Sequence, residues 1–301
     1  MSVRRLGYPC IRVGSDPQTV KRCQLRNASP ERLRQLIDRN LDRLKSVLEF
    51  NVENSISLFR IHSDTIPFAS HPDVDFDWLA YAGPDLRNLG DFIETNNLRV
   101  SMHPGQYTVL NSPDESVVEN AVRNLEYHTQ FLDALNVDAT AKIIVHIGGV
   151  YDDREAAMDR FVKRANDLSS SIRDRLVIEN DESSYDIKQV LHLSKSTGLP
   201  VIFDWLHHQL NQPETERSIP EWLERCFSTW NKDDGVPKVH FSSASGSGGG
   251  HHADRINPDD FSNFQTETQH LEPFDVMLEC KDKEVALLDL RKCLNGTLPE
   301  T

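Results

Sequence analysis

The 301-residue chain has no apolar run approaching the ~18 residues that a membrane-spanning helix needs. Behind Arg4 and Arg5 there is no apolar stretch either, so no secretory leader is expected. Cysteine is scarce: Cys10, Cys23, Cys226, Cys280 and Cys293 are odd in number, scattered, and never spaced as CxxC. That excludes a disulfide framework or a zinc ribbon and points to reduced thiols in a cytoplasmic protein. Basic residues are outnumbered, 33 Lys+Arg against 47 Asp+Glu, for a net charge of −14. A nonspecific nucleic-acid coat is excluded, because neutralising phosphates needs a basic surface. A nucleic-acid enzyme is not excluded, because a metal cluster sets its own local field. HExxH and visible internal repeats are also absent. What is present, 38% apolar residues with 13 Phe and 4 Trp, suffices for a packed core.

The length fits two ordinary domains or one large α/β barrel. Eight short apolar runs read as strands: Arg5–Ile11, Ser57–His62, Arg99–Pro104, Lys142–Gly149, Arg175–Asp181, Pro200–Trp205, Pro237–Ser243 and Asp275–Lys281. Near-continuous apolar runs suit strands covered on both faces. Helix-period segments separate them. One opens at Ser29-Pro30-Glu31, with Ser29 as a natural N-cap, and carries Leu33, Leu36, Ile37, Leu41, Leu44 and Leu48 on one face. A second is predicted from about Asp85 to Asn96, and a third starts at Pro113. Strand–helix alternation repeated eight times predicts a single (β/α)₈ barrel over residues 1–301, with its core at about 5–295. The Ser242–His252 stretch, rich in Gly and Ser, has linker composition but falls between strand seven and its helix, where barrels keep functional loops.

Such a barrel concentrates its chemistry at the C-terminal ends of the strands. His103, His146, Glu179, Asp204, His240 and Glu279 sit at or beside successive strand ends, 25 to 43 residues apart, about one βα unit each time. All six are therefore predicted to converge on one mouth. His207 follows Asp204 by three, and His251 and His252 flank the Gly-rich stretch, where either can turn inward. Carboxylates between apolar strand residues, such as Glu179 after Val177 and Ile178, are costly to bury unless paired or metal-bound. Imidazole and carboxylate without thiolate suit Zn²⁺ or Mn²⁺. Eight or more candidate ligands exceed the needs of one ion, so two or three divalent ions are expected. His128, His192, His208 and His270 read as packing or surface residues and His62 as an orienting residue. His103-Pro-Gly-Gln106-Tyr107 fits an ordinary turn with a half-buried Tyr, or a wedge that enters a duplex. A metal-dependent sugar isomerase, an amidohydrolase and a DNA-binding module are the competing classes. No His-x-His near the first strand supports the second, and the acidic charge speaks against the third.

Gly7-Tyr8-Pro9, Ile66-Pro67, His71-Pro72, Ser101-Met-His103-Pro-Gly-Gln-Tyr107, His146-Ile-Gly-Gly149, Ile178-Glu179-Asn-Asp181, Phe203-Asp204-Trp-Leu-His207-His208, Pro237-Lys238-Val-His240 and Glu279-Cys-Lys281 together resemble the UV-damage endonucleases of prokaryotes and fungi. The resemblance runs from about residue 5 to residue 285. It implies an ATP-independent, monomeric repair enzyme without a nucleotide cofactor, acting on damaged double-stranded DNA in the cytoplasm. Nicking is implied immediately 5′ to cyclobutane dimers, 6–4 photoproducts and abasic sites, leaving a 3′-hydroxyl and a 5′-phosphate. Under this resemblance Glu179 bridges two ions. His103 and His146 complete the first, Asp204, His240 and Glu279 the second, and His207 with His252 hold a third, the metals being Mn or Zn. Lys238 aligns with a carboxylated lysine; Tyr8, Gln106 and Tyr107 match residues that probe the duplex; His71 lies near the scissile phosphate. Arg4, Arg5, Lys21, Arg22 and Arg26 are phosphate-contact candidates along one rim. Cys10-Ile-Arg12 departs from relatives that carry a small polar residue there. The missing fungal-type N-terminal extension makes a bacterial or archaeal source the expectation.

Overall fold

The computed structural model describes residues 2–215, 217–245 and 251–294. Strand–helix alternation begins with β1 (Val3–Pro9), α1 (Pro30–Glu53), β2 (Leu58–Ile61), α2 (Trp78–Thr95), β3 (Arg99–Met102) and α3 (Glu115–Ala134). It continues through β4 (Lys142–His146), α4 (Arg154–Asp167), α5 (Ser170–Arg173), β5 (Leu176–Glu179), α6 (Ile187–Thr197), β6 (Val201–Asp204), α7 (Trp205–Leu210) and α8 (Ile219–Phe227). It ends with β7 (Lys238–Phe241), α9 (Pro258–Thr268), β8 (Phe274–Leu278) and α10 (Lys283–Cys293). The eight strands pair in parallel and in chain order, and β8 returns to β1 to close the barrel. Each predicted strand is present; β1 starts two residues before its apolar run, and the other seven are shorter than theirs.

Local chemistry sets the boundaries. Ser29 Oγ accepts the Arg32 amide at 3.2 Å and opens α1 with Pro30 in its first turn. Helix α2 starts seven residues before the predicted Asp85, at Trp78, capped by Asp77, and it passes through Pro84. Gly7 lets β1 meet β2, since a Cβ there would lie 2.3 Å from the Leu58 carbonyl oxygen.

Period-2 alternation divides each strand. Ile143, Val145, Leu176, Ile178, Val201 and Phe203 join the large core between barrel and helices, whereas Ile144, Val177 and Ile202 form a small separate cluster with Trp230. Those three share the inner face with Lys142, His146, Glu179 and Asp204. The interior is therefore not the fully apolar filling that the continuous runs suggested. Near the strand starts, Arg99 pairs with Asp275 at 2.8 Å and Lys142 with Asp234 at 2.5 Å, all buried or nearly so. The chemistry of the barrel is layered: charge pairs at the floor, three aliphatic side chains above, histidines and carboxylates at the mouth.

Candidate active site

Parallel register brings the mouth residues together. His146 is the Cα partner of Glu179, and Asp204 that of His240. Glu179 is 1% exposed and central: Oε1 lies 2.8 Å from His103 Nε2 and 3.0 Å from His146 Nε2, and Oε2 lies 2.5 Å from His240 Nδ1. Two three-ligand groups result, His103–His146–Glu179 and Glu179–Asp204–His240, each with its ligand atoms within 4.8 Å of one another. Burial opposes the Glu179 charge, but His240, His146 and His103 hold its pKa well below the usual carboxylate range. Asp204 moves the other way: burial, with Glu279 and Glu179 nearby, raises it against the pull of His207.

The residues fit a divalent cation. Asp204 caps α7, its Oδ1 accepting the His207 amide at 2.8 Å, while its buried Oδ2 accepts no hydrogen bond. An oxygen so placed is costly without a cation. His103 Nδ1 donates to the Pro104 carbonyl at 2.9 Å, leaving Nε2 as the ligand atom, the arrangement that fixes a metal-binding tautomer. His207 Nδ1 likewise donates to the Asn180 carbonyl at 3.1 Å. Asn180 also clamps β5 to β6, giving its amide to the Asp204 carbonyl and accepting the Asp204 N–H. Carboxylates around His207 outweigh its burial and raise its pKa to about 9.

Three members of this site were invisible in the sequence. Asn180 is one. Arg60 is the second: Nη2 lies 2.8 Å from His240 Nε2 and 2.5 Å from Glu279 Oε1. Arg60 therefore holds Glu279, which falls outside both three-ligand groups although its Oε1 is 3.3 Å from His240 Nδ1. The third is Glu182, whose Oε2 is 3.7 Å from His207 Nε2. Their common signal is a polar residue beside a predicted strand end, which carries no weight until register is known.

His252 turns toward the site. A bridge pairs Ala244 with His252, whose Nε2 lies 3.9 Å from Glu279 Oε2 and whose ring meets His207 edge-on at 5.9 Å. His251 is exposed. The intervening glycines of the Ser242–His252 stretch lie outside the described residues. Lys238 is fully buried and its Nζ has no hydrogen-bond partner among the described residues; burial, with Arg99 and Arg60 nearby, lowers its pKa well below the usual lysine value.

Gln106 and Tyr107 are exposed, Tyr107 by 62%, so the half-buried version of that turn is set aside. Its base is rigid: the Thr108 amide closes on Gly105, Thr108 Oγ1 donates to Asn124, and Ser63 Oγ donates to the His103 carbonyl. Tyr107, His71, Phe68, Arg22 and Asn120 line a cavity of about 690 Å³. Cys10, Phe68 and Tyr151 adopt left-handed backbone in the loops after β1, β2 and β4, as Lys283 does at the start of α10; Ser55, Asn97 and Asn136 do so at the opposite end of the barrel.

Two expectations need correction. Tyr8 is fully buried and donates to Asn51 Oδ1 on α1 at 2.6 Å, so it faces the helix layer and not the mouth. Arg4 and Arg5 line a hollow at the opposite end of the barrel with Arg99, and Arg5 is spent on Asn97. Arg22 does lie at the mouth, bound to Asp64 at 2.7 Å. His128 and His208 are buried packing residues, and His62 accepts the Asp64 amide as an orienting residue. Among the described residues no helix is long and apolar enough to cross a membrane.

Comparison with known proteins decides the family. The sequence profile described as "UV-endonuclease UvdE" matches residues 4–298. The chain belongs to the UV-endonuclease family. Among relatives of this UV-endonuclease, the UV DNA damage endonuclease of Clostridium perfringens is 40% identical over 294 residues, 97% of this chain and 70% of that one. The crystal structure of SacUVDE matches with a TM-score of 0.89 at 37% identity, covering 96% of this chain and 97% of that one. Endonuclease IV from Thermus thermophilus matches at TM-score 0.60 and 17% identity, with 98% and 100% covered, a likeness of fold alone.

Proposed function

We propose that this DNA endonuclease of the UV-endonuclease family nicks the backbone immediately 5′ to cyclobutane dimers, 6–4 photoproducts and abasic sites, leaving a 3′-hydroxyl and a 5′-phosphate. The carrying observation is the buried carboxylate–imidazole cluster around Glu179, opening beside the exposed Gln106–Tyr107 turn. Glu179 would bridge two divalent ions, Mn or Zn, with His103 and His146 on one side and Asp204, His240 and Glu279 on the other. His207 and His252 would hold a third. When bound, such ions supply the Lewis acidity that makes water nucleophilic near neutral pH and offsets charge on the leaving oxygen.

The side chains do the rest. In the buried mouth, histidines hold Glu179 ionised, whereas burial and the neighbouring carboxylates work against the charge of Asp204. His71, beside the Tyr107 cavity, would donate to the scissile phosphate. Gln106 and Tyr107 would enter the duplex where a lesion has already weakened stacking, so extruding the damaged nucleotides costs less there than in intact DNA. Lys238, an unpartnered amine near two arginines, suits carboxylation: Nζ attacks the carbon of CO₂, one N–H proton leaves to solvent, and the resulting anion sits among cations. The chain is read as a cytoplasmic monomer without a nucleotide cofactor.

A supercoiled plasmid, with and without UV irradiation and with and without EDTA, tests the reading. Relaxation is expected only for irradiated plasmid without chelator, and Glu179→Gln should remove it. Equal nicking of intact plasmid, or a wild-type rate in the variant, refutes it.

A further inference from the structure

The third ion of the proposed cluster has so far only His207 and His252, two neutral imidazoles that bring no charge to a dication. Its neighbours Glu179 and Asp204 are already engaged in the three-ligand groups or as an N-cap. The structure brings another carboxylate to this place. Glu182 Oε2 lies 3.7 Å from His207 Nε2, the nitrogen left free because Nδ1 is tied to the Asn180 carbonyl. Two ligand atoms on one ion at ~2.1 Å stand roughly 3 to 3.5 Å apart, so a small rotation of Glu182 completes the approach.

The loop makes that position a built one. Asp181, just before Glu182, is buried and accepts the amides of Ser183 at 2.9 Å and Tyr185 at 3.1 Å, and that of Ser184 as well. The Asp181 carbonyl accepts Asn211 Nδ2 at 3.1 Å. Glu182 is thus gripped on both sides while its side chain, 49% exposed, is left at the solvent edge of the cluster next to His207. His252 meets the same imidazole edge-on, its ring 5.9 Å from that of His207. Glu182 and His252 each flank His207, outside the two three-ligand groups, and a hard carboxylate with two imidazoles is a donor set suited to Zn²⁺ or Mn²⁺.

We propose that Glu182 is a ligand of the third ion, together with His207 and His252. This rests on the metal-cluster reading above. The test uses the full chain, stripped by chelator and titrated with Mn²⁺ alone, with bound metal counted after equilibrium dialysis. Wild type, Glu182→Gln, His252→Ala and the double variant are compared. Glu182→Gln and His252→Ala should each weaken the same, weakest ion by about tenfold or more. The double variant should lose little beyond His252→Ala, and the tighter ions should be unchanged. Wild-type stoichiometry and affinity in Glu182→Gln overturn the proposal while leaving the cluster intact. If Glu182 merely pairs with the His207 imidazolium, Glu182→Gln lowers the His207 pKa by NMR in metal-free protein without changing the metal count; that result also overturns it. A wild type that binds no Mn²⁺ overturns both readings.

Discussion

Arg60 holds two of the residues assigned to one ion, and replacing it has a calculable effect. Its guanidinium donates to Glu279 Oε1 at 2.5 Å and to His240 Nε2 at 2.8 Å, with the Arg60 side chain 6% and that of Glu279 16% exposed. Arg60→Met keeps the length and apolar stem and removes the charge. In metal-free protein the Glu279 carboxylate is then buried beside Glu179 without its cation, which costs about 3–5 kcal/mol. At roughly 2 °C per kcal/mol for a chain of this size, Tm should fall by about 6–10 °C in EDTA. Metal should reverse part of that loss. For His240 to bind an ion through Nδ1, its proton must move to Nε2, where the Arg60 donor now points, and Glu279 must leave Arg60. Wild type gives up both contacts on loading and the variant neither. Mn²⁺ should therefore bind Arg60→Met more tightly, and each tenfold gain restores about 1.4 kcal/mol, or roughly 3 °C. Scanning calorimetry in EDTA and in saturating MnCl₂ reads both effects. A Tm deficit of the same size in the two buffers would refute competition between Arg60 and metal; no deficit in EDTA would refute the buried pair.

Three further outcomes follow from the geometry. Alanine at Gln106 or Tyr107 should weaken binding to damaged duplex by about 1–2 kcal/mol without altering metal content, measured by fluorescence anisotropy; unchanged affinity in both removes the wedge. Burial lowers the His128 pKa to about 4, so its contribution is complete above pH 6.5 and is lost as pH falls from 6.5 toward 4, by about 3 kcal/mol. Urea midpoints across that window should fall less steeply in His128→Leu, and equal slopes would dismiss the assignment. Labelled bicarbonate should give a carbamate ¹³C signal in wild type and none in Lys238→Met; its absence from wild type would leave Lys238 an unmodified amine.

The barrel was readable because each strand is a short apolar run that ends in polar residues, and because the ligand residues recur once per βα unit. His103, His146, Glu179, Asp204 and His240 meet as that spacing demanded. What failed was parity. Tyr8 shares a strand end with the mouth residues, but the period of 2 turns it outward, to Phe59 and Asn51. Arg60 lies between the apolar Phe59 and Ile61, and the same period turns it inward onto Glu279. Glu182 and Asn180 act through loop geometry that no spacing rule encodes. Arg4 and Arg5 looked like part of a rim, but a strand has two ends and composition does not say which.

The floor pairs carry a lesson for anyone shuffling gene segments between homologous enzymes. Arg99 belongs to β3 and its partner Asp275 to β8, while Lys142 opens β4 and its partner Asp234 precedes β7. A crossover between residues 142 and 234 separates both couples at once. Unless the donor sequence supplies matching acids, the hybrid inherits two stranded cations at the floor of its barrel, at several kcal/mol each. Viable hybrids should therefore exchange these four residues as a set or keep their junctions before residue 99 or after residue 275.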